Sequence, residues 1–375
     1  MLFSELGLNE LILKAANEEE YHTVTAIQEK AIPAILKGID VLGCASTGTG
    51  KTAAFAMPIL DKLSKEFHEE GKSNKIKALV LAPTRELAIQ IGESFETYGR
   101  YLDLGIGVVF GGVTPKRHIK VLKREPNILV ATPGRLLDLV SREVADLSQV
   151  KYLVLDEADR MFDLGMKKDV NKIISLLPNK RQNLLFSATI PSEIKKLING
   201  VLVRPERITI AKSEYEAMIK QEVYFVDETK KTEFLIERLK EIEFESILIF
   251  TRTKKKADKV SKAINVSNIC RSKALHGDKN QSERTKNLEL FKNKEVKILV
   301  ATDIAARGID IDNVSLVINM NIPDVAENYI HRIGRTGRAG LSGRSISLCS
   351  EEEKPFLDLI EALQKHKIKS HNNTI

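Results

Sequence analysis

The chain has 375 residues, 43% of them hydrophobic and 29% charged, and a net charge of +7. At roughly 150 residues per domain this length predicts two domains or three, and no apolar run approaches the roughly 20 residues of a membrane span, so no membrane partner is expected. Cys44, Cys270 and Cys349 are scattered and odd in number, and the seven histidines form no ligand pair, which argues against a disulfide framework and against a zinc site.

The first twenty residues, MLFSELGLNELILKAANEEE, carry glutamates and no basic leader. A signal peptide is not expected, and the location expected is cytoplasmic. Short apolar runs then alternate with helical patterns: DVLGCA, KALVLAPT, IGVVFGG, NILVATP, YLVLDEAD and NLLFSAT in the first half, SILIFTRT, NICRSKALHG, VKILVATD, VSLVINMN and GRSISLCS in the second. Alternation of this kind predicts an α/β fold of βαβ units with mostly parallel sheets flanked by helices. The strand–helix pattern restarts after residue 219, which predicts domains over 1–206 and 220–375 joined by a short tether at 207–219. The polar, basic tail LQKHKIKSHNNTI reads as the frayed end of a last helix. The pentapeptide ILVAT occurs twice, at Ile128–Thr132 and Ile298–Thr302, each time an apolar run stopping at a threonine.

In parallel sheets chemistry gathers at the carboxyl ends of strands. After Val41–Gly43 comes CASTGTGKTAAF, in which Gly48, Gly50, Lys51 and Thr52 fit a P-loop, although Ala45 stands where the strict pattern has glycine. Glycines let successive N–H groups curl toward phosphate oxygens, and the helix N-terminus adds partial positive charge. Lys51 would reach the β- and γ-phosphates and the Thr52 hydroxyl would bind Mg²⁺. The plainer reading is a glycine-rich turn capping a helix. Asp156 ends the apolar run YLVL, where a bare carboxylate is costly unless a cation sits beside it. With metal at Thr52 and Asp156, Glu157 could polarise an attacking water. The alternative is an acidic helix start with Asp159 as its cap.

In YIHRIGRTGRAG, Arg332, Arg335 and Arg338 recur every third residue with Gly334, Gly337 and Gly340 between them. Three helical glycines would cost roughly 3 kcal/mol against alanine. Repeated arginines with glycines suit guanidinium groups aimed at one anionic centre, and an arginine finger on a phosphoryl group supplies about 10³–10⁵ in rate. If both sets serve one nucleotide, ATP lies in a cleft between two sheets. The basic surplus favours a polyanionic partner, and 5% aromatic content with no Trp favours contact to a sugar-phosphate backbone over base stacking.

Taken in order, these motifs resemble those of DEAD-box ATP-dependent RNA helicases over nearly the whole chain, and most of all the bacterial RhlE-type branch, although the longer basic tail frequent in that branch is missing. STGTGKT (Ser46–Thr52) resembles motif I, where Ala45 is the usual preceding residue; PTRELA (Pro83–Ala88) motif Ia; Gly111–Gly112 the GG element; TPGR (Thr132–Arg135) motif Ib; DEAD (Asp156–Asp159) motif II; and SAT (Ser187–Thr189) motif III. IFTRT with Arg252, QSER (Gln281–Arg284), ATDIAARGID and HRIGRTGR (His331–Arg338) resemble motif IV, the Q-x-x-R element, motif V and motif VI. The resemblance implies two tandem RecA-like domains with the active cleft between them. It implies an ATP site of Ala45, Ser46, Thr47, Gly48, Thr49, Gly50, Lys51 and Thr52, with Gly308 and Asp310 at the ribose or attacking water and Arg335 and Arg338 as fingers. The adenine-reading motif departs from the family: EYHTVTAIQ has Glu20 for glycine and Val24 for proline, but keeps Tyr21, Thr25 and Gln28, with Phe3 as the isolated upstream aromatic. Gln28 is expected to give adenine two hydrogen bonds while Tyr21 packs on the ring.

An RNA track is implied at Pro83, Thr84, Arg85, Gly111, Gly112, Thr132, Gly134, Arg135, Arg252, Gly277, Gln281, Arg284 and Thr302, so that the two ILVAT threonines grip backbone phosphates from two sheets. Ser187, Thr189, Asp159 and His331 would couple the nucleotide to the RNA. The activity expected is RNA-dependent ATP hydrolysis that opens short duplexes. Residue types alone leave open a DNA-acting helicase and an ATP-gated RNA clamp that does not unwind. Ribosome-assembly or RNA-decay factors are expected as partners by resemblance only.

Overall fold

The computed structural model describes residues 1–45, 48–71, 73–210, 219–306, 311, 314–337 and 343–372. The chain divides into two compact units, Met1–Ala211 and Lys212–Ile375. The first unit is built on β1 (Val41–Cys44), β2 (Ala78–Leu81), β3 (Ile106–Val109), β4 (Ile128–Ala131), β5 (Tyr152–Leu155), β6 (Gln182–Ser187) and β7 (Glu206–Thr209). They form one parallel sheet in the order β3-β4-β2-β5-β6-β1-β7. Helices cover both faces, so the inner strands are apolar without alternation, as ILVA and YLVL are. The pleat still divides them. Ile128, Val130, Tyr152 and Val154 join the core under helices Ala26–Leu36, Lys51–Glu70 and Arg85–Tyr98. Leu129, Ala131, Leu153 and Leu155 join the opposite core, under Pro133–Ser141 and Lys167–Leu176.

The second unit repeats the plan with β8 (Ile219–Phe225), β9 (Ile247–Thr251), β10 (Ser272–Leu275), β11 (Ile298–Thr302), β12 (Leu316–Asn319), β13 (Gly343–Cys349) and β14 (Lys369–Asn372). Its parallel sheet runs β10-β11-β9-β12-β13-β8-β14. Counted from each unit's own first strand, both orders read third, fourth, second, fifth, sixth, first, seventh. The two copies of ILVAT are therefore the fourth strand of each unit, and each lies between the third and the second.

Two expectations change. Arg207 to Thr209 pair with β1 as part of β7, so the tether begins later than 207, and Ile219 already opens β8. Residues 211–218 of the expected tether lie outside the described residues. The tail is not a frayed helix. The helix Lys354–Gln364 stops at a left-handed Lys365, and Lys369–Asn372 then pairs with β8 as an edge strand. The His371 ring stacks on Tyr224 at 4.7 Å, and the Ile368 N–H donates to Glu361 Oε1 at 2.9 Å. A polar string gives no sign of a strand held by partners so distant in sequence.

The first helix, Glu10–Glu18, ends in a Schellman motif. The Tyr21 N–H donates to the Ala16 carbonyl at 3.0 Å and the Glu20 N–H to that of Asn17 at 3.0 Å. Glu20 sits at φ +60°, the left-handed region that favours glycine. The turn that presents Tyr21 thus keeps a glycine's backbone without the glycine. Glu20→Gly would relieve about 1–2 kcal/mol of left-handed strain and return about 0.4–1 kcal/mol of it as unfolded-state entropy. The expected result is a first urea transition more stable by about 0.5–1 kcal/mol; a lower midpoint would show that Glu20 makes a compensating contact.

Candidate nucleotide site and nucleic-acid interface

β1 leads into Ala45, which is buried and whose N–H donates to the Ser187 carbonyl at 3.1 Å. Gly48 and Gly50 have φ of +84° and +87°, and helix Lys51–Glu70 starts at once after them. Lys51 is 6% exposed and its Nζ donates to the Ala45 carbonyl at 2.8 Å, so its ammonium is folded back over the loop. Ser46 and Thr47 lie outside the described residues. Gly50 is required twice: its φ is left-handed, and a Cβ there would collide with the Gln28 amide. Gln28 caps its own helix by accepting from the Thr25 N–H at 2.9 Å, and its Nε2 donates to the Gly50 carbonyl at 3.2 Å. The Thr25 hydroxyl donates to the Thr49 carbonyl at 2.7 Å. The side chains expected to read adenine therefore also hold the loop expected to hold phosphate. Tyr21 is 46% exposed, with Phe3 and Tyr98 against its ring at 6.5 and 6.2 Å. Phe3 is buried, so its part in any nucleotide contact runs through Tyr21.

Asp156 follows β5 and is 2% exposed. Burial pushes its carboxyl up to about 7, the Lys51 charge pulls it back, and Glu157 raises it again. The backbone at Glu157 is left-handed, φ +49°, and its carboxylate accepts from Arg160 Nη1 at 2.9 Å. A strained, charge-bearing residue at a strand end is a frequent mark of a functional site. The last acid of the motif faces the end of β6. Asp159 Oδ2 accepts from the Thr189 N–H at 2.8 Å and its hydroxyl at 2.7 Å. Its own N–H donates to Ser187 Oγ at 3.2 Å, and Ser187 Oγ donates to the Thr189 carbonyl at 2.7 Å. Thr52 is half-buried beside Lys51. Among the described residues no three His, Cys, Asp or Glu side chains cluster as a complete metal cage. A buried carboxylate whose charge is unwelcome and a hydroxyl are oxygen donors of the kind Mg²⁺ takes.

The interface residues of the first unit follow β2, β3 and β4, neighbours in the sheet. The Thr84 hydroxyl caps helix Arg85–Tyr98, accepting from the Leu87 N–H at 3.3 Å, with Pro83 just before it. The Arg85 guanidinium lies 4.5 Å from the Phe110 ring centre. The Gly111 N–H donates to Thr132 Oγ1 at 3.2 Å. A Cβ on Gly111 or Gly112 would meet nothing within 4 Å, so the interior does not demand glycine there, and their backbone is open to a ligand. Gly134 and Arg135 open helix Pro133–Ser141, and Arg135 donates through Nη2 to the Val113 carbonyl at 2.8 Å and through Nη1 to His118 at 2.6 Å.

The second unit repeats this at β9, β10 and β11. Arg252, 52% exposed, donates through Nη2 to the Ile322 carbonyl at 3.2 Å and to Glu353 at 3.3 Å. Gly277 lies against Lys254, helix Gln281–Lys292 carries half-buried Arg284 in its first turn, and Thr302 ends β11. The Gln281 side chain lies outside the described residues. Below Arg252, the fully buried Lys231 pairs with Glu353 at 2.5 Å and Glu228 at 3.0 Å, while Asn321 donates to both carboxylates. Sequence reading missed this network, because its members are far apart in the chain and of ordinary types.

The three-arginine expectation needs correcting. Helix Ala326–Ile333 stops at Gly334, so neither Gly334 nor Gly337 is helical, and Gly340 lies outside the described residues. Arg332 is consumed inside its own unit, donating from Nε and Nη2 to the two Asp303 oxygens at 2.6 and 2.7 Å and from Nη1 to the Asn321 carbonyl at 2.8 Å. Arg335 lies beyond the helix end and is 4% exposed. Gly337, at φ +70°, packs against Gly343 where a Cβ would not fit. His331 is half-buried in the last helical turn. Gly308, Asp310 and Arg338 lie outside the described residues.

Residues 25–197 match the DEAD/DEAH box helicase family model and residues 230–340 the helicase conserved C-terminal domain. The chain is 42% identical over 366 residues to the ATP-dependent RNA helicase CshA of Limosilactobacillus reuteri, covering 97% of this chain and 72% of that protein. It is 42% identical over 352 residues to the DEAD-box helicase RhpA of Helicobacter pylori, covering 94% and 70%. Among solved structures, Mss116p bound to single-stranded RNA and AMP-PNP superposes with a TM-score of 0.87 at 32% identity, over all of this chain and 79% of that one. Dbp5 of S. cerevisiae bound to RNA and ADP BeF3 superposes at 0.86 and 30% identity, over 99% and 95%. Two sheets of one order, a P-loop tied to an adenine-type motif and these matches together establish that the chain belongs to the DEAD-box family of ATP-dependent RNA helicases, built as tandem RecA-like domains.

Proposed function

We propose that this chain is an RNA-dependent ATPase that locally unwinds short RNA duplexes, its two domains closing on single-stranded RNA backbone when ATP is bound. The observation that carries the reading is the shared sheet order, which leaves the expected RNA contacts of both units at the ends of the same three strands, the second, third and fourth. The relatives bound to RNA together with a nucleotide support it.

In this reading Tyr21, backed by Phe3, packs on adenine and Gln28 bonds its edge. Lys51 leaves the Ala45 carbonyl for the β- and γ-phosphates, while the backbone of residues 46–50 curls around them. Thr52 and Asp156 would hold Mg²⁺, which neutralises phosphate charge. Glu157, steadied by Arg160, orients the attacking water. Arg335 and Arg338 meet the charge that develops on the transferred phosphoryl group, and Gly308 and Asp310 serve the ribose or the water network. Thr84, Arg85, Gly112, Thr132 and Arg135 from one unit and Arg252, Gly277, Gln281, Arg284 and Thr302 from the other grip successive phosphates. Small and basic groups of this kind hold backbone without reading sequence. The closed track bends one strand, duplex geometry no longer fits, and the other strand leaves. Asp159, through Ser187 and Thr189 and with His331, carries the state of the nucleotide to the RNA. A cytoplasmic role with ribosome-assembly or RNA-decay factors, and a place nearest the RhlE-type branch, complete the proposal.

ATP hydrolysis should rise with single-stranded RNA and not with single-stranded DNA, and the stimulation should fall steeply as salt is raised. Equal stimulation by DNA would favour a DNA helicase, and failure to part a short RNA duplex would favour a clamp. Arg335→Ala should leave ATP affinity within a few-fold and lower turnover by about 10³ or more; retained turnover removes the finger assignment. Thr189→Ala deletes one of the two hydrogen bonds on Asp159 Oδ2 and should reduce duplex separation far more than RNA-stimulated hydrolysis, measured side by side. Equal losses in both would end the coupling role.

A further inference from the structure

His118 belongs to no motif in the sequence, yet it sits in the middle of the first unit's nucleic-acid interface. It lies in helix Pro115–Leu122, is 1% exposed, and meets the Phe110 ring edge-on at 5.0 Å. Its Nδ1 is 2.6 Å from Arg135 Nη1. A guanidinium only donates, so Nδ1 accepts and the ring proton is on Nε2. Nε2 is buried with no hydrogen-bond partner. An orphaned buried donor is unfavourable, and an apolar side chain of similar volume would avoid it. The ring's polar contribution is therefore concentrated at one atom, the acceptor facing Arg135.

We propose that His118 is a positioning residue for RNA binding: a neutral acceptor that fixes the Arg135 guanidinium in place without adding a negative charge beside it. This rests on the reading of Arg135 as an RNA-phosphate contact. Two hydrogen bonds hold that guanidinium, to His118 Nδ1 and to the Val113 carbonyl at 2.8 Å, and the Asp138 carboxylate lies 3.7 Å from Nε, beyond hydrogen-bond length. Five N–H groups minus these two leave three, enough for a phosphate oxygen to accept from the guanidinium. With Asp138 already nearby, a second carboxylate in place of the imidazole would hold the arginine equally well but would turn the local charge against a phosphate. The ring keeps its neutral state because burial first, then the charges of Arg135, Arg117 and Arg85, push it down to about 4. The folded ring thus refuses a proton that the unfolded ring accepts below about 6.5, so stability of this unit falls as pH drops from there toward 4. RNA affinity does not titrate through His118 at neutral pH.

Side-chain shape gives the test. The oxygen of an asparagine falls near the Nδ1 position, and the amide end of a glutamine falls near Nε2. With the full chain, a non-hydrolysable ATP analogue and a single-stranded RNA, His118→Asn should bind within about twofold of the parent, whereas His118→Gln and His118→Leu should lose about tenfold, close to the loss from Arg135→Ala. His118→Leu combined with Arg135→Ala should lose no more than Arg135→Ala alone. ATP affinity without RNA should be unchanged throughout. Equal losses in the Asn and Gln variants, or additive losses in the double variant, would overturn the proposal. If Arg135→Ala leaves RNA binding intact, the RNA reading of Arg135 fails and the proposed role in RNA binding fails with it. Histidine ¹⁵N shifts, assigned by difference with His118→Asn, separate that case: an unprotonated Nδ1 down to pH 5 upholds the contact with Arg135, and a ring titrating near 6.5 refutes it.

Discussion

A parallel sheet sends every strand to the same edge, and the placement of chemistry in this protein depends on that constraint. β1, β5 and β6 end at Cys44, Leu155 and Ser187, and so bring the glycine-rich loop, the DEAD acids and the Ser-Ala-Thr segment to one rim without any of them being close in sequence. Hydrogen bonds between neighbouring strand ends then fix the details: Ala45 to Ser187, Asp156 to Leu81, Asp159 to Thr189. Repeating the sheet order in the second unit repeats the rim. One chain therefore offers two similar edges, each with small polar residues at the ends of its second, third and fourth strands.

The rims are crowded with charge, and the chain manages it in two ways. Where charge serves the architecture it is matched completely, as with Arg332 on Asp303 or Lys231 on Glu353 and Glu228. Breaking such buried pairs is costly, so they hold loops in place. Around the candidate nucleotide site, matching is partial. Burial disfavours the ionised form of Asp156, and the Lys51 ammonium rests on a neutral carbonyl.

Much of this could be read from the chain alone, for a definite reason. Strand ends buried on both faces give continuous apolar runs, and turn residues with special backbone needs, such as Gly50, leave marks of one residue type at one spacing. The β7 and β14 edges were not legible, because their strands are short, polar and held by partners elsewhere in the chain. His118 and Glu353 were not legible either: each is an ordinary residue made important by a neighbour that only folding supplies. Glu20 shows the opposite case. The departure from the expected glycine is visible in the sequence, yet only the structure reveals that the left-handed turn survives it.

Motif VI shows why spacing must be read together with where a helix ends. Arginines three apart on one helix would share a face and compete for the same anion. Here the helix ends at Gly334, between Arg332 and Arg335. Arg332, still helical, turns inward to Asp303 and the Asn321 carbonyl, tying the helix to the end of β12 and to the segment after β11. Arg335, past the end, is set by a non-helical backbone whose carbonyl accepts from the Val314 N–H at 3.2 Å. A spacing that looks like one repeated function thus separates into a helical anchor, Arg332, and a residue beyond the helix end, Arg335.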